Sequence, residues 1–434
     1  MNVSRVNPEN SNFVKILEMI VYKFGGASVK DAEGIRNLAE RVKGVDDELV
    51  VVVSAFGKTT NALEGVVSAS LEGKETEGLI DEIKSYHKEI TDNLFPGNDK
   101  VRSFLEESFS DMKKFLENCK DTDYDFVYDQ VVSLGEIWST KIVEEWLKLS
   151  GVDWRWIDIR KHLMTDERYR DASILWPESS IRLQSALNFN EARKYIVQGF
   201  IGGTLSGNST TLGREGSDYT AAIIANIMDA ESVVVWKDVD GVLNADPKWM
   251  SDTSSLQNIS YKEAVEMSFS GAKVIHPKTI KPLHNKDIPL YVKSFLNPGH
   301  PGTLISTNEN RIDNIPVYVK KENQVLISLI PRDFSFVMGD HLGKIFGYFD
   351  RYGIKANLVQ ASAVSLAVCV DNDRGRIKEV SRELGKEFKL LYNDNVELYT
   401  IRQYNSDSIN KVSNGRCILV EQKTRRTLRL VVGS

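Results

Sequence analysis

Residues 20–36 read IVYKFGGASVKDAEGIR and decide the fold class, because a strand, a glycine turn and a capped helix follow one another there. The apolar run 20–24 predicts a strand, and Gly25-Gly26 predicts a turn directly after it. Asp31 predicts the N-cap of a helix whose apolar residues recur at helical spacing. This order of strand, turn and helix is the unit from which parallel sheets are built.

The same alternation continues through the first 300 residues, where apolar β-branched runs separate helix-like stretches. Further strands are predicted at 49–54, 155–159, 195–201, 233–236 and 290–295. Helical stretches are predicted at 77–118, which should hold several helices, and at 127–149, 218–228 and 260–285. Strands that alternate with helices favour an α/β fold with a largely parallel sheet covered on both faces.

From about residue 310 the pattern changes to a separate α+β module. Strands are predicted at 324–330, 356–361, 365–370, 396–402, 415–421 and 427–432, helices at 340–352 and 373–387, and a polar connector at 405–415. The expected organisation is an N-terminal extension over 1–18, disordered, an α/β domain over 19–308 and an α+β region over 309–434.

Composition excludes several classes of protein. The net charge of 55 − 61 = −6 gives no general attraction to nucleic acid or to an anionic membrane. Three widely spaced cysteines without a CxxC pair argue against a disulfide framework or structural zinc and favour a reducing, cytoplasmic location. The apolar runs are strand-sized, and residues 1–18 lack the order of a signal peptide.

Two glycine-rich turns carry the chemistry. Lys23-Phe24-Gly25-Gly26 ends one strand, and Gly213-Arg214-Glu215-Gly216-Ser217-Asp218 lies between a strand and a helix. Glycines let backbone N–H groups approach a phosphate, while lysine and arginine neutralise it. Alone, the first turn is equally a tight turn with a surface lysine, and Asp218 equally a first-turn acid complementing the helix dipole. Together the turns predict a polyanion site between two helix N-termini.

Five segments in order resemble the motifs of the aspartate kinase family. They are KFGGASV (23–29), VSAFGKTTN (53–61), SLGE (133–136), TLGREGSDYTAA (211–222) and FSGAKVIHP (269–277). The resemblance implies the amino acid kinase fold, a three-layer αβα sandwich with a mainly parallel sheet, followed by an α+β ACT region. It also implies phosphoryl transfer from ATP, bound with Mg²⁺, to the side-chain carboxylate of L-aspartate. The product, 4-phospho-L-aspartate, begins the biosynthesis of lysine, threonine and methionine.

The resemblance assigns roles residue by residue. Lys23 would contact the transferring phosphoryl group, Asp218 would orient Lys23 and substrate, and Lys273 would meet the phosphates. The expected aspartate-binding residues are Ser54, Thr60, Glu136 for the α-ammonium and Arg214 for the α-carboxylate. The expected ATP and phosphate residues are Lys23, Gly25, Gly26, Gly213, Gly216, Ser217, Lys237, Asp238, Lys248 and Lys273. Without the resemblance, Glu136 reads as a solvated helix-start acid and Ser54 and Thr60 as turn residues.

No general base is expected, because the acceptor carboxylate is already ionised near neutral pH, and no residue of the protein is assigned as a metal ligand. His162 and His276 are therefore read as structural. The nucleotide loop KDVDGVLNADPK (237–248) departs from the family at Lys237, Leu243 and Lys248, where threonine, tyrosine and arginine are frequent. Lys248 keeps the charge but loses the bidentate fork of arginine.

Residues 323–371 resemble an ACT domain, the small fold that binds amino acids at subunit interfaces. The expected effector positions are Asp340, Asn357 and Ser362. In lysine-inhibited relatives the positions of Asn357 and Ala363 are often acidic; both are uncharged here, which predicts weak or absent lysine inhibition. The first ACT unit is expected at about 323–390 and an abbreviated second unit at 395–434. ACT sheets usually pair across a two-fold axis, so a homodimer is expected.

Two alternatives stay open at this point. The chain can be another amino acid kinase, for glutamate or acetylglutamate, although SLGE and GREGSDYTA argue against it. It can also be a non-catalytic ACT sensor with a decayed kinase domain, although Lys23, Arg214, Asp218 and Lys273 are all retained. A bifunctional kinase–homoserine dehydrogenase is not expected, because no dinucleotide-binding domain follows the ACT region.

Overall fold

The computed structural model describes residues 18–97, 99–119, 122–149, 151–272, 275–308, 315–333 and 335–433. The disordered extension was predicted over 1–18, and all of it except residue 18 lies outside the described residues. The chain forms two compact units. The first holds the described residues as far as Asp240 together with Lys278–Pro301, and the second holds Gly241–Pro277 and the residues from Gly302 onward. The second unit thus includes a segment that the predicted boundary at 308/309 leaves in the catalytic domain.

The strands, in chain order, are β1 (Met19–Phe24), β2 (Glu48–Val53), β3 (Trp154–Ile157), β4 (Lys194–Gln198), β5 (Ile201–Gly203), β6 (Ser209–Thr211), β7 (Ser232–Lys237), β8 (Val242–Leu243), β9 (Ser255–Leu256), β10 (Asn258–Ser260), β11 (Leu290–Ser294), β12 (Thr303–Ser306), β13 (Val317–Pro331), β14 (Ala356–Ala361), β15 (Leu366–Asp371), β16 (Phe388–Arg402), β17 (Cys417–Lys423) and β18 (Thr427–Gly433). The helices are α1 (Ala32–Lys43), α2 (Thr59–Leu71), α3 (Glu77–Leu94), α4 (Asp99–Glu117), α5 (Tyr124–Lys148), α6 (Trp176–Ala186), α7 (Gly216–Met228), α8 (Tyr261–Ser270), α9 (Pro277–His284), α10 (Asp340–Arg351), α11 (Arg374–Leu384) and α12 (Ser406–Ser413).

The first unit is built on a parallel sheet in the order β11-β7-β1-β2-β4-β3. Leu49, Val51 and Val53 of β2 share one apolar core with helices α1–α5. Val50 and Val52 are equally buried and point to the opposite face, where α7 contacts β1, β2 and β7. The sheet is therefore the middle of three layers, which explains why β2 is apolar throughout.

Parallel pairing brings the carboxyl ends of β1, β2 and β7 to one edge of the sheet. The ladders align Phe24 with Val53 of β2 and with Trp236 of β7. The loops that follow these three strands therefore begin side by side, the position at which open α/β sheets bind ligands.

The predicted helix over 260–285 is wrong as a single element, because the chain forms α8 and α9 instead. Ser260 caps α8 by accepting a hydrogen bond from the Glu263 amide at 3.2 Å. Gly271, with φ of 112°, ends that helix in the left-handed region, and a new helix starts at Pro277. Gly271 and Pro277 of the FSGAKVIHP motif therefore lie at the end of one helix and at the start of the next.

The second unit carries an antiparallel sheet in the order β14-β15-β13-β16-β18-β17. Its long strands β13 and β16 pair along almost their whole length. The polar connector expected at 405–415 is wrong: Ser406–Ser413 is helix α12. Asn405 and Ser408 form a reciprocal capping box there, so a polar stretch begins a helix. Within the described residues, no helix is long and apolar enough to span a bilayer.

Candidate active site

The first glycine turn fits closely against the loop after β2. A Cβ atom at Gly26 would lie 2.4 Å from the carbonyl oxygen of Ala55, so only glycine fits there. The Gly57 amide donates to the Gly26 carbonyl at 3.0 Å, which ties the two loops together. Lys23 lies one residue before the end of β1, next to this glycine turn.

The second glycine loop uses left-handed backbone conformations to enter helix α7. Gly213 has φ of 76°, and Glu215, the N-cap residue of α7, has φ of 55°. A Cβ at Gly216 would lie 2.6 Å from the ring of Phe200. The loop therefore delivers the positive end of α7 and the Arg214 side chain, which is exposed, to one place.

A buried ion pair joins the two turns. The Lys23 ammonium lies 2.6 Å from Oδ1 of Asp218, and the Lys237 ammonium lies 3.7 Å from Oδ2. Burial by itself raises the pKa of Asp218, but the two ammonium groups lower it further than burial raises it. Asp218 is therefore an anion at neutral pH and holds the Lys23 side chain in one direction.

Glu136 on α5 is a buried carboxylate that forms no ion pair among the described residues. Its residue is 2% exposed, and its Oε2 atom has no hydrogen-bond partner among the described residues. Burial raises the pKa of Glu136 to about 8, although a hydrogen bond from the Ala55 amide and the charge of Lys23 both lower it. A carboxylate held in this way is suited to a cationic ligand that completes its pairing.

These groups line one cavity of about 590 Å³ in the first unit. Of the residues singled out from the sequence, the cavity brings together Lys23, Gly25, Gly26, Ser54, Thr60, Glu136, Gly213, Arg214, Gly216, Ser217, Asp218, Lys237 and Asp238. Lys248 belongs to the second unit, where its amide donates to Asp246, and Lys273 lies outside the described residues. His162 and His276 do not line the cavity.

The cavity also has walls that sequence reasoning missed. Tyr128, Arg170, Phe200 and Trp236 line it. The Arg170 guanidinium lies 4.4 Å from the centroid of the Tyr128 ring. Nothing in the sequence around Arg170 indicates a binding role, whereas Tyr128 sits on the predicted helix of Glu136 and helical spacing can relate the two.

The expected effector residues lie in the second unit. Asp340 begins helix α10, Asn357 lies on β14, and Ser362 closes a turn with Ser365. Asn357 is engaged within the chain: its Oδ1 accepts a hydrogen bond from Lys321 at 2.8 Å, and its Nδ2 donates to Gln324 and Asp371. Among the described residues, no group of three or more His, Cys, Asp or Glu side chains is arranged to hold a metal ion.

The chain is similar to known proteins over most of its length. Residues 18–294 match the amino acid kinase family. The lysine-sensitive aspartokinase 3 of Escherichia coli is 33% identical over 361 residues, which cover 82% of this chain and 78% of that protein. The bifunctional aspartokinase/homoserine dehydrogenase of Daucus carota is 30% identical over 386 residues, 85% of this chain but only 42% of that protein.

A solved structure extends the similarity to three dimensions. The crystal structure of E. coli aspartokinase III in complex with aspartate and ADP superposes with a TM-score of 0.80 at 29% identity and covers 96% of both chains. The likeness includes the parallel sheet of the first unit and the antiparallel sheet of the second, so the predicted fold class is confirmed.

Proposed function

Because the chain belongs to the amino acid kinase family, and within it to the aspartokinases, we propose that the cavity of the first unit is where it phosphorylates L-aspartate with ATP. The activity is that of an ATP-dependent aspartate kinase, which yields 4-phospho-L-aspartate for the biosynthesis of lysine, threonine and methionine.

The buried Glu136 and the exposed Arg214 divide the recognition of aspartate between them. The Oε2 atom of Glu136 accepts a hydrogen bond from the α-ammonium, which supplies a cation for this buried carboxylate. Arg214, on the loop before α7, pairs with the α-carboxylate through its planar fork. The side-chain carboxylate is then left to face the nucleotide, with Ser54 and Thr60 beside it.

The transfer step needs positioning and positive charge. A side-chain carboxylate oxygen of aspartate forms a bond to the γ-phosphorus while the bond from that phosphorus to the β–γ bridging oxygen breaks, and ADP leaves. No proton is removed from the acceptor, since it is already ionised. Lys23, aligned by Asp218, stabilises the charge that spreads over the phosphoryl oxygens.

The glycine turns hold the nucleotide. The amides around Gly25, Gly26, Gly213, Gly216 and Ser217 face the phosphates at the N-terminus of α7, and Lys237 and Asp238 border the same cavity. Mg²⁺ carried by the nucleotide would neutralise charge on the β- and γ-phosphates. The exposed carboxylate of Asp238 would fit such an ion as one oxygen ligand, although the sequence predicted no metal ligand from the protein.

The observation that carries the proposal is the convergence of the Lys23–Asp218 pair and the unpaired Glu136 in one cavity. The test is an ADP-release assay with purified full-length chain, ATP and Mg²⁺, comparing aspartate, glutamate and N-acetylglutamate. Aspartate alone is expected to raise ADP release above the rate without acceptor. Stimulation by glutamate or N-acetylglutamate but not by aspartate would overturn the proposal, and no stimulation by any of them would favour a sensor without activity.

We also propose a cytoplasmic location, because three cysteines without a disulfide, two of them buried, suit a reducing environment. The residues from 309 onward are proposed as the ACT-like regulatory region, and the chain as a homodimer through its ACT sheets. A monomeric mass by light scattering at micromolar concentration would contradict the dimer.

A further inference from the structure

Asp129 is a fully buried carboxylate on α5 that takes no part in the phosphoryl transfer described above. Its residue is 0% exposed. Its Oδ2 atom accepts hydrogen bonds from the amides of Thr211 at 2.8 Å and Arg170 at 3.0 Å, and its Oδ1 accepts from the Thr211 hydroxyl at 2.7 Å. Three donors from two loops therefore end on one side chain.

Both loops are parts of the cavity wall. Thr211 ends β6 two residues before Gly213, and so fixes the start of the loop that carries Arg214. Arg170 also lines the cavity and has a left-handed backbone conformation, with φ of 67°. A non-glycine residue costs free energy in that region and persists where the surroundings hold it, and the Asp129 hydrogen bond to its amide is one such restraint.

The two loops also pack directly on each other. The Ala172 amide donates to the Thr211 carbonyl at 3.0 Å. A Cβ at Gly213 would lie 3.3 Å from the Arg170 carbonyl oxygen and 2.6 Å from Oδ1 of Asp171. A shift of either loop at the Asp129 corner therefore moves the backbone at Gly213.

Helix α5 relates this corner to substrate recognition. Asp129 and Glu136 are seven residues apart, which is close to two helical turns, so both project from one face of α5. Burial raises the pKa of Asp129 to about 6, although the hydrogen bonds from Thr211 and Arg170 lower it. The group is therefore ionised at neutral pH and remains an acceptor for all three donors.

We propose that Asp129 is a positioning residue for aspartate: it clamps the Arg170 turn and the loop before α7 to the helix that carries Glu136, and so sets the distance between the groups that bind the α-carboxylate and the α-ammonium. This inference rests on the proposed function, since it assigns those two groups to Arg214 and Glu136. Gly213 on the clamped loop also borders the proposed phosphate site, but Lys23, Gly25 and Gly26 lie on the β1 turn outside the clamp, so the clamp is expected to affect the binding of aspartate more than that of ATP.

The test compares Asp129→Asn and Asp129→Ala with the parent enzyme in steady-state kinetics. Asparagine keeps one acceptor and alanine keeps none, so the KM for aspartate is expected to rise in the order Asp, Asn, Ala, by about 10-fold and then about 100-fold. The KM for ATP is expected to stay within about 3-fold. Glu144→Gln is the matched control, because Glu144 is also a buried carboxylate on α5 but pairs with Lys141 and Lys148 and does not line the cavity.

A second variant and a second measurement separate positioning from folding and from the function itself. Thr211→Val removes only the hydroxyl bond to Asp129, and its effect on KM is expected to be smaller and non-additive with that of Asp129→Asn. Hydrogen exchange by mass spectrometry is expected to rise in peptides covering 168–173 and 209–214 in Asp129→Asn and not in Glu144→Gln.

The outcomes are distinguishable. A parent enzyme without aspartate-dependent activity would defeat the proposed function, while the exchange data would still decide whether Asp129 clamps the two loops. An active parent with Asp129→Ala at unchanged KM for aspartate would overturn the positioning role. Equal increases in both KM values, or additive effects with Thr211→Val, would overturn it as well.

Discussion

Two clusters of buried charge in this molecule differ in how completely they are paired. In the second unit, Arg402 donates to both carboxylate oxygens of Glu263 at 2.7 and 2.6 Å, to Glu266 at 3.2 Å and to the Thr427 hydroxyl at 2.7 Å. In the first unit, the Oε2 atom of Glu136 has no partner among the described residues. A satisfied cluster stabilises one structure, whereas an unsatisfied one retains free energy for a ligand.

Whether a buried charged group has all its hydrogen-bond partners distinguishes structural from functional residues without reference to any relative. Arg402 and Glu263 are as deeply buried as Lys23 and Asp218. Burial alone therefore does not identify the active site. What marks the site is a carboxyl group whose pKa is raised by burial and whose Oε2 atom has no hydrogen-bond partner among the described residues.

The largest expected effect is on kcat and follows from removing the ammonium group of Lys23. Lys23→Ala takes away the charge proposed to stabilise the phosphoryl group, and kcat is expected to fall by about 10³-fold or more. It also leaves Asp218 with Lys237 alone at 3.7 Å. Steady-state ADP release measures the change, and a kcat within about 10-fold of the parent enzyme would contradict the role given to Lys23.

Glu136→Gln tests the unsatisfied carboxylate and has the next largest effect. Glutamine keeps the shape but loses the charge, so the KM for aspartate is expected to rise by about 10²-fold. In the parent enzyme that KM should fall as pH rises through about 8, because Glu136 ionises there. The variant should lack this pH dependence.

Glu136→Gln is expected to weaken aspartate binding without lowering the free energy of unfolding. The folded state raises the pKa of Glu136, so the neutral form contributes stability below its ordinary pKa, and that contribution is lost as pH rises through about 8. Glu136→Gln should therefore be at least as stable as the parent enzyme in alkaline buffer, by thermal unfolding. A large loss of stability would place Glu136 with the structural charges.

Arg402→Met tests the satisfied cluster. Removing the cation leaves Glu263 buried without its partner, and the free energy of unfolding is expected to fall by roughly 3–5 kcal/mol. Chemical denaturation measures it, with Arg382→Met as the control, since Arg382 is an exposed cation on α11. At temperatures where the variant is folded, KM for aspartate should change by less than about 2-fold. A stable Arg402→Met would show that the pairing contributes little.

The smallest expected effect concerns the ACT-like region. Lys321 donates a hydrogen bond to Asn357 at 2.8 Å, which occupies the amide oxygen of this expected effector residue. L-Lysine at millimolar concentration is therefore expected to lower activity by less than about 2-fold. A lysine titration measures this, and strong inhibition would contradict the reading of Asn357.

The sequence predicted the elements best where a regular pattern covers a whole element. Strands β1 and β14 start and end within one residue of the prediction, because an apolar run or an alternation defines them. The helix predicted over 260–285 was wrong, because apolar spacing continues across Gly271 while the backbone turns there. Helix α12 was missed because its face is polar and only its capping box identifies it.

The sequence predicted some residues of the cavity and missed others. Short motifs identified the residues at strand ends, such as Lys23 and Asp218, since glycine turns there have a physical signature. Asp129 and Arg170 were missed, because their roles depend on which loops meet in space. The predicted roles of Lys248 and Lys273 stay predictions: one belongs to the second unit and the other lies outside the described residues.

The most direct test of the unsatisfied carboxylate is a count of protons during binding. Isothermal titration of aspartate into the enzyme, saturated with a non-hydrolysable ATP analogue, is repeated near pH 7 in buffers of different ionisation enthalpy. If the α-ammonium pairs with Glu136, close to one proton per site should be released, because a carboxyl with a pKa of about 8 must ionise. Glu136→Gln should release none. No release from the parent enzyme, or the same release from both, would contradict the account.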